Sequence, residues 1–211
     1  MMENPLLTPT QTLLTHVEPR KICLLGDFAV GKTSLVSRYV HNVFSDRYLT
    51  TVGVKIDTRV IELNQIPGKV VLQRNLQPNL QPNSESLIGT ESSAPPKRSI
   101  KLVLWDLAGA ANLSAPAKAY IQGSHGFLIV CDGTRRATLN TALALLNSAR
   151  EQIGTRPAVL LVNKQDLYES WEVDQDSLDS ARLRVTNVLA TSAKTGANVD
   201  RAFRLLAELC A

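Results

Sequence analysis

The chain has 211 residues, of which 44% are hydrophobic and 20% are charged, and its formal net charge is +4. This length and composition are ordinary for a globular protein with one sizeable core, and no run of like charges predicts binding to nucleic acid. The three widely spaced cysteines argue against a disulfide framework or a zinc site. Without a signal-peptide pattern or an apolar run of bilayer length, we expect a cytoplasmic protein.

The first predicted elements are an arm, a strand and a helix. Residues 1–19 contain several prolines and threonines, and we predict a flexible N-terminal arm. The run "RKICLLG" is short and apolar and ends at a glycine, which is typical of a buried strand. The run "GKTSLVSRYVHNVF" places Leu35, Tyr39 and Val43 at helical intervals and therefore predicts a helix.

The junction between this strand and helix matches the phosphate-loop pattern G-x-x-x-x-G-K-[ST]. Its glycines let the backbone wrap closely around an anion, and backbone amides at a helix N-terminus point toward phosphates. Lys32 is expected to neutralise the β- and γ-phosphates, and Thr33 to offer its hydroxyl to Mg²⁺. The predicted phosphate-binding residues are Gly26, Asp27, Phe28, Ala29, Val30, Gly31, Lys32, Thr33 and Ser34.

A hairpin with a long insertion is predicted next. The segments "TVGVKIDTRVIEL" and "IKLVLWDLAG" read as two strands that pair with each other. Between them, residues 64–99 carry a tandem "NLQP" and few apolar side chains after Leu72. Residues 69–74 can extend a strand, and we expect the rest to be disordered because it cannot bury enough apolar surface to offset its ordering entropy.

The remaining elements alternate between strands and helices. "GFLIVCDGT" and "PAVLLVNKQD" are predicted buried strands, and "TALALLNSAREQIG" between them is an amphipathic helix. A short strand in "RVTNVLATSAKTG" and a final helix in "NVDRAFRLLAEL" follow. This alternation predicts an α/β fold over residues 20–211, a P-loop NTPase sandwich whose six-stranded, mostly parallel sheet carries helices on both faces.

Two loops predict a guanine base as part of the ligand. Asn163, Lys164 and Asp166 form an N-K-x-D element at the end of a buried strand. A carboxylate accepts hydrogen bonds only, and guanine presents N1–H and an exocyclic amine side by side, so Asp166 can accept both. Lys164 can lie along the base, and Asn163 can brace the phosphate loop. A second loop supplies Ser192, Ala193 and Lys194, with the Ala193 amide able to reach the guanine oxygen.

These motifs together resemble the Ras superfamily of small GTPases, nearest the Rab-like branch, from Arg20 to Leu209 apart from the insertion. In "YLTTVGV" the resemblance makes Thr51 the residue that senses Mg²⁺ and the γ-phosphate. In "LWDLAG" it places Asp106 near Mg²⁺ through water and lets Gly109 donate to the γ-phosphate. Phe44 falls where the family has an aromatic ring against the base, although a core phenylalanine is the alternative.

The resemblance implies a GDP/GTP switch with Mg²⁺ held by Thr33, Thr51 and Asp106. It also implies an effector or regulator protein that contacts two switch loops, at about residues 45–56 and 108–122. We expect a monomer. A C-terminal prenylation motif needs a cysteine four residues from the end, and Cys210 is second from the end, so we expect no lipid anchor of that form.

Three departures from the family pattern bear on catalysis. Ala110 replaces the usual glutamine that orients the attacking water, so no catalytic side chain is predicted with certainty and hydrolysis should be slow. Phe28 is bulky where the family has a small residue. Its ring either obstructs an incoming arginine finger, or it points away or covers the nucleotide. The segment "GAANLSAPAKAYIQG" has few charges, which suits either an apolar partner or a poorly ordered loop. A switch with slow GTPase activity is the first hypothesis, and a non-cycling nucleotide-binding scaffold is the second.

Overall fold

The computed structural model describes residues 17–47, 50–63 and 98–211. Most of the predicted arm and insertion, and Tyr48 of the switch motif, lie outside the described residues.

The first strand, β1 (Glu18–Gly26), begins within the last residues that we assigned to the arm. Its start is held by Glu18, which accepts from Arg20 at 2.6 Å and from Arg98 at 2.7 Å. Arg98 and Ser99 pair with Leu63 and Glu62, so the strand begins two residues before the end that we predicted for the insertion, at about residue 99.

The sheet has six strands in the order β2-β3-β1-β4-β5-β6. The pair β2–β3 is antiparallel, and Leu63 lies opposite Arg98 in the last residue pair of its register. The other four strand pairs are parallel. The predicted hairpin and the mostly parallel sheet are thereby confirmed. The other strands are β2 (Val54–Leu63), β3 (Arg98–Leu107), β4 (Gly126–Asp132), β5 (Ala158–Asn163) and β6 (Asn187–Ala190).

Helices cover both faces of this sheet. In the described parts of the chain, each helix is too short or too polar to cross a bilayer. The first helix ends at His41, because Asn42 takes the left-handed conformation with φ 54°, so Val43 and Phe44, which the predicted helix included, lie beyond its end. The helices are α1 (Lys32–His41), α2 (Ala115–Tyr120), α3 (Ala137–Ile153), α4 (Gln175–Arg182) and α5 (Val199–Leu209), with a 3₁₀ helix at Gln165–Ser170.

The alternation of side chains along the strands builds two cores. On β1, Ile22 and Leu24 join the core beneath α1 and α5, whereas Cys23 and Leu25 join the core beneath α3. A strand that is buried on both faces reads as a continuous apolar run, and this explains the pattern that predicted it. Because β1, β4, β5 and β6 are parallel, the loops that follow them gather at one edge of the sheet.

Trp171 packs against one of these loops. A Cβ atom added to Gly133, just after β4, would lie 2.3 Å from the Trp171 ring, so the ring rests on the glycine itself. The ring is partly buried and also packs against the core under α3. Gly133 is therefore required by the close approach of the indole.

We predict that Gly133→Ala lowers the free energy of unfolding by about 1–3 kcal/mol, because the new methyl group must displace the Trp171 ring. Urea unfolding measures the change. Adding Trp171→Leu to the Gly133→Ala chain makes room for the methyl group, so the double variant should lose less stability than the two single variants combined. Strict additivity would contradict this contact.

Candidate functional site

The loop after β1 folds around the side chain of Lys32. The Lys32 ammonium donates to the carbonyls of Gly26 and Asp27, both at 2.9 Å. Lys32 is only 6% exposed, and burial lowers its pKa to about 8 against the attraction of Asp106 and Asp27. The loop therefore holds a largely buried cation whose hydrogen-bond acceptors, within the described part of the chain, are neutral carbonyls, which suits an anionic ligand.

Backbone geometry limits which residues this loop accepts. Gly31 has φ 98°, and a Cβ there would lie 2.3 Å from the Asn163 amide nitrogen, so only glycine fits. Ala29 also has a left-handed backbone, with φ 60°, which costs about 1–2 kcal/mol for a residue other than glycine. The sequence pattern did not reveal this strain, because the motif leaves the position open.

Phe28 and Gly109 meet at the mouth of the loop. A Cβ on Gly109 would lie 2.6 Å from the Phe28 Cα, so the second switch loop closes directly onto the phosphate loop. Phe28 itself is 48% exposed and borders the cavity described below. The segment after Gly109 includes helix α2, whose N-cap Ser114 accepts from the Ala117 amide. Nearly all of its side chains are exposed or half-buried.

Three oxygen-bearing side chains converge beside Lys32. The Thr33 hydroxyl donates to Asp106 Oδ2 at 2.5 Å and lies 2.7 Å from the Thr51 hydroxyl, which is 3.4 Å from the same carboxylate oxygen. Burial raises the pKa of Asp106, although the hydrogen bond from Thr33 and the charge of Lys32 lower it. The other carboxylate oxygen, Oδ1, is buried and has no hydrogen-bond partner among the residues that the structure describes.

This cluster fits a hydrated magnesium ion. Mg²⁺ prefers hydroxyl, carboxylate and water oxygens, and it usually retains several waters. Neighbouring ligand atoms at 2.0–2.1 Å from the ion lie about 2.9 Å apart. The side-chain oxygens of Thr33, Thr51 and Asp106 are separated by 2.5–3.4 Å, a range that includes this value. The unpaired Asp106 Oδ1 is the atom that a metal-bound water would satisfy.

Asn163 joins the phosphate loop to the second predicted base loop. Its amide nitrogen donates to the Val30 carbonyl at 2.9 Å. Its oxygen accepts from the Ala193 amide at 3.2 Å, so in this structure that amide, predicted to reach guanine, contacts Asn163. The Ser192 hydroxyl donates to Asp166 Oδ1 at 2.5 Å and thereby links the two loops that carry the guanine signature.

Asp132, which the motif analysis missed, connects Lys164 to the phosphate loop. The Lys164 ammonium lies 2.6 Å from Asp132 Oδ2, and Arg135 Nε donates to the same oxygen at 2.9 Å. Arg135 also donates to the Phe28 carbonyl at 2.9 Å. Asp132, fully buried at the end of β4, thus supports both Lys164 of the base side and, through Arg135, the phosphate loop. A buried aspartate ending an apolar strand, three residues before an arginine, is the signal that could have indicated this role.

One cavity of about 450 Å³ lies between these loops. Phe44 borders it and also packs against the core under α1 and α5, so both interpretations of this residue describe its position. Of the remaining predicted site residues, Gly26, Asp27, Val30, Asp106 and Ser192 lie behind the lining. Those that border the cavity are Phe28, Ala29, Gly31, Lys32, Thr33, Ser34, Thr51, Gly109, Asn163, Lys164, Asp166, Ala193 and Lys194.

Comparisons with known proteins agree with this geometry. The sequence family described as "Ras family" matches residues 21–211. The chain is 31% identical to Ras-related protein RABA2d of Arabidopsis thaliana over 192 residues, which is 90% of this chain and 74% of the relative. It is 28% identical to Ras-related protein Rab-32 of Mus musculus over 198 residues, covering 89% and 74% of the two chains.

We predict that Asp132→Asn destabilises the fold by about 1–3 kcal/mol, since Lys164 and Arg135 lose their shared carboxylate. Burial raises the pKa of Asp132, but hydrogen bonds from Lys164, Thr134 and Arg135 outweigh it and hold the pKa below its usual value. A depressed carboxyl pKa stabilises the fold above the unfolded-state value and loses that effect as the pH falls through the folded-state value.

The stability difference between wild type and Asp132→Asn should therefore be constant above about pH 5 and shrink below about pH 4. Urea unfolding at a series of pH values measures it. Asp176→Asn is the control, since Asp176 is an exposed carboxylate on α4 away from the cavity, and its stability difference should vary less with pH. A difference that is unchanged down to pH 3 would contradict the ion-pair account.

Proposed function

The chain belongs to the Ras family of GTP-binding small GTPases, in its Rab-like branch, and from that premise we propose a Mg²⁺-dependent GDP/GTP switch that hydrolyses GTP slowly. The observation that carries this proposal is the convergence of Thr33, Thr51 and Asp106 beside Lys32. Thr33 belongs to the phosphate loop and Thr51 to the first switch loop. Their contact supports a site in which a ligand near Lys32 changes the position of a switch loop.

In this proposal the chain binds the nucleotide phosphates through the backbone of residues 26–34 and the Lys32 ammonium. Thr33 and Thr51 hold Mg²⁺ through their hydroxyl groups, and Asp106 holds it through water. When bound, Mg²⁺ neutralises charge on the phosphate oxygens. The Gly109 amide donates to the γ-phosphate, and its close approach to Phe28 supports this placement.

The base side of the cavity has the groups that guanine requires. Asp166 accepts from the two adjacent donors of guanine, and the hydrogen bond from Ser192 orients its carboxylate. Lys164 lies under the base with its ammonium held by Asp132. Asn163, Ala193, Lys194 and Phe44 complete the base site in this proposal.

Slow hydrolysis follows from the side chains at two positions. Ala110 has a methyl group where an amide would orient water, and a methyl group neither donates nor accepts a hydrogen bond. Phosphoryl transfer depends on positioning and on charge stabilisation, so losing the positioning group lowers the rate. Phe28, half-exposed at the cavity mouth, restricts the approach of an arginine finger from a partner.

A scaffold that holds guanine nucleotide without cycling is the second candidate, and the side chains of Ala110 and Phe28 favour it. A static scaffold has no need of a γ-phosphate sensor, however. The contact between the Thr33 and Thr51 hydroxyls therefore supports the switch over the scaffold.

The switch loops are the proposed surface for an effector or regulator. The Ala108 amide donates to the Gly53 carbonyl at 2.9 Å, so the two loops are joined by the backbone and can respond together. We propose that the protein acts as a monomer through residues 45–56 and 108–122. The three cysteines are unpaired, which supports a reducing compartment such as the cytoplasm.

We predict that Ala110→Gln raises the single-turnover rate of GTP hydrolysis by about tenfold or more, because the amide can orient the attacking water. The measurement uses purified protein loaded with GTP and Mg²⁺. Ala111→Gln is a matched control that adds the same amide one residue further along. Brisk hydrolysis by wild type would contradict the role of Ala110, and inertness of both wild type and Ala110→Gln would favour the scaffold.

We predict that Asp166→Asn weakens GDP binding by about a hundredfold and improves binding of xanthosine diphosphate. The amide can donate to the second carbonyl of xanthine, whereas the native carboxylate repels it. Competition against a fluorescent nucleotide measures both affinities. Asp179→Asn, on the exposed face of α4, should leave both unchanged. An unchanged preference for guanine in Asp166→Asn would exclude Asp166 from base recognition.

A further inference from the structure

Arg38 contacts the base loop from outside the nucleotide cavity. It lies on α1, where its Nε donates to the Ala193 carbonyl at 2.9 Å and its Nη2 donates to the Lys194 carbonyl at 2.6 Å. Its Nη1 donates to Asn42 Oδ1 at 3.2 Å, at the left-handed end of the same helix. One guanidinium group thus ties two consecutive carbonyls of the base loop to α1.

Arg38 borders a different cavity, of about 420 Å³, between α1, β2 and α5. Tyr39, Asn42, Arg59 and Asp200 also border that cavity, and Arg38 is not among the residues that line the nucleotide cavity. Arg38 therefore acts on the nucleotide indirectly, through the loop and the helix that it holds together.

The loop that Arg38 holds is itself bonded to the residues that read the base. Ser192 donates to Asp166, and the Ala193 amide donates to Asn163. The carbonyls of Ala193 and Lys194 continue the same stretch of backbone. Restraining those carbonyls limits the movement of the Ser192 hydroxyl and, through it, of the Asp166 carboxylate.

Helix α1 begins at Lys32 and Thr33, which belong to the phosphate side of the site. Arg38 therefore connects a rigid element that starts at the phosphates to the loop that contacts the base. A guanidinium is suited to this role, because its planar fork can bond two adjacent acceptors at once and it stays charged at every physiological pH.

We propose that Arg38 is a positioning residue for base recognition: it clamps the loop of residues 192–196 to α1 and so controls how slowly the nucleotide leaves and how strongly guanine is preferred. This proposal rests on the proposed function. It differs from a general stabilising role because it predicts a change in the preference between bases. A fold that is only weakened loses affinity for every nucleotide in the same proportion.

The test compares wild type with Arg38→Ala and Arg38→Lys by release of a fluorescent GDP and by competition with GDP and inosine diphosphate. Inosine lacks the exocyclic amine that Asp166 accepts. We expect Arg38→Ala to release GDP about tenfold faster or more, because two charge-assisted hydrogen bonds are lost. The ratio of the inosine diphosphate to the GDP dissociation constant should fall about threefold or more. Arg38→Lys replaces the planar guanidinium with a single ammonium group. Its GDP release rate and its ratio of dissociation constants should therefore lie between those of wild type and Arg38→Ala.

Two control variants separate the clamp from its surroundings. Arg59→Ala removes the other arginine of the same cavity, which donates to the Tyr39 carbonyl and makes none of the base-loop contacts described above. Asn42→Gly keeps the left-handed end of α1 and removes the side-chain partner of Arg38. Both should retain the wild-type preference for guanine.

Three outcomes would overturn the proposal: an unchanged base preference in Arg38→Ala, an equal fall of preference in Arg59→Ala, or an equal fall in Asn42→Gly. If Arg38→Ala does not fold, the Arg38→Lys ratio decides, and a wild-type value there would also overturn it. Failure of wild type to bind GDP at all would instead refute the proposed function. The two failures are therefore distinguishable in the same experiment.

Discussion

The rest of the site depends on the hydrogen bonds of one buried side chain, the amide of Asn163. It sits at the end of β5, is 2% exposed, and bonds both the Val30 carbonyl and the Ala193 amide. A buried amide group must have its hydrogen bonds satisfied. The phosphate loop and the loop that carries Ala193 are therefore both held in place by the orientation of this amide. It also explains Gly31, since any larger residue would collide with the amide nitrogen. Phosphate and base recognition are thus joined through one side chain.

The features that could be predicted from the sequence are those encoded within a few neighbouring residues. The spacing from Gly26 to Thr33 requires a particular turn before a helix, and the apolar runs on β1, β4 and β5 follow from burial on both faces of a parallel sheet. Pairing of β2 with β3 followed from their order in the chain. The grouping of the loops at one sheet edge then followed from the topology.

The features that could not be predicted depend on partners that are distant in sequence. Arg38 meets the Ala193 carbonyl, and Arg135 meets the Phe28 carbonyl, across separations of more than one hundred residues. Backbone carbonyls leave no pattern in the side-chain sequence, so neither contact has a motif. The left-handed backbone of Ala29 is likewise set by the surrounding fold, which overrides local propensity. The end of α1 at Asn42, by contrast, agrees with the local preference of asparagine for the left-handed region after a helix, which the apolar periodicity alone did not reveal.

The pairing of Leu63 with Arg98 at the open end of the hairpin has a consequence for how this chain can vary. Leu63 and Arg98, which flank residues 64–97, are held on adjacent strands, so any connection between them must begin and end at fixed points. The entropy of closing a flexible connection between two such points depends only logarithmically on its length, and doubling the number of residues costs about 0.6 kcal/mol. Natural lengthening, shortening or exchange of this segment is therefore nearly neutral for the sheet, whereas a shift of one residue in the β2–β3 register would reverse every side chain of β2.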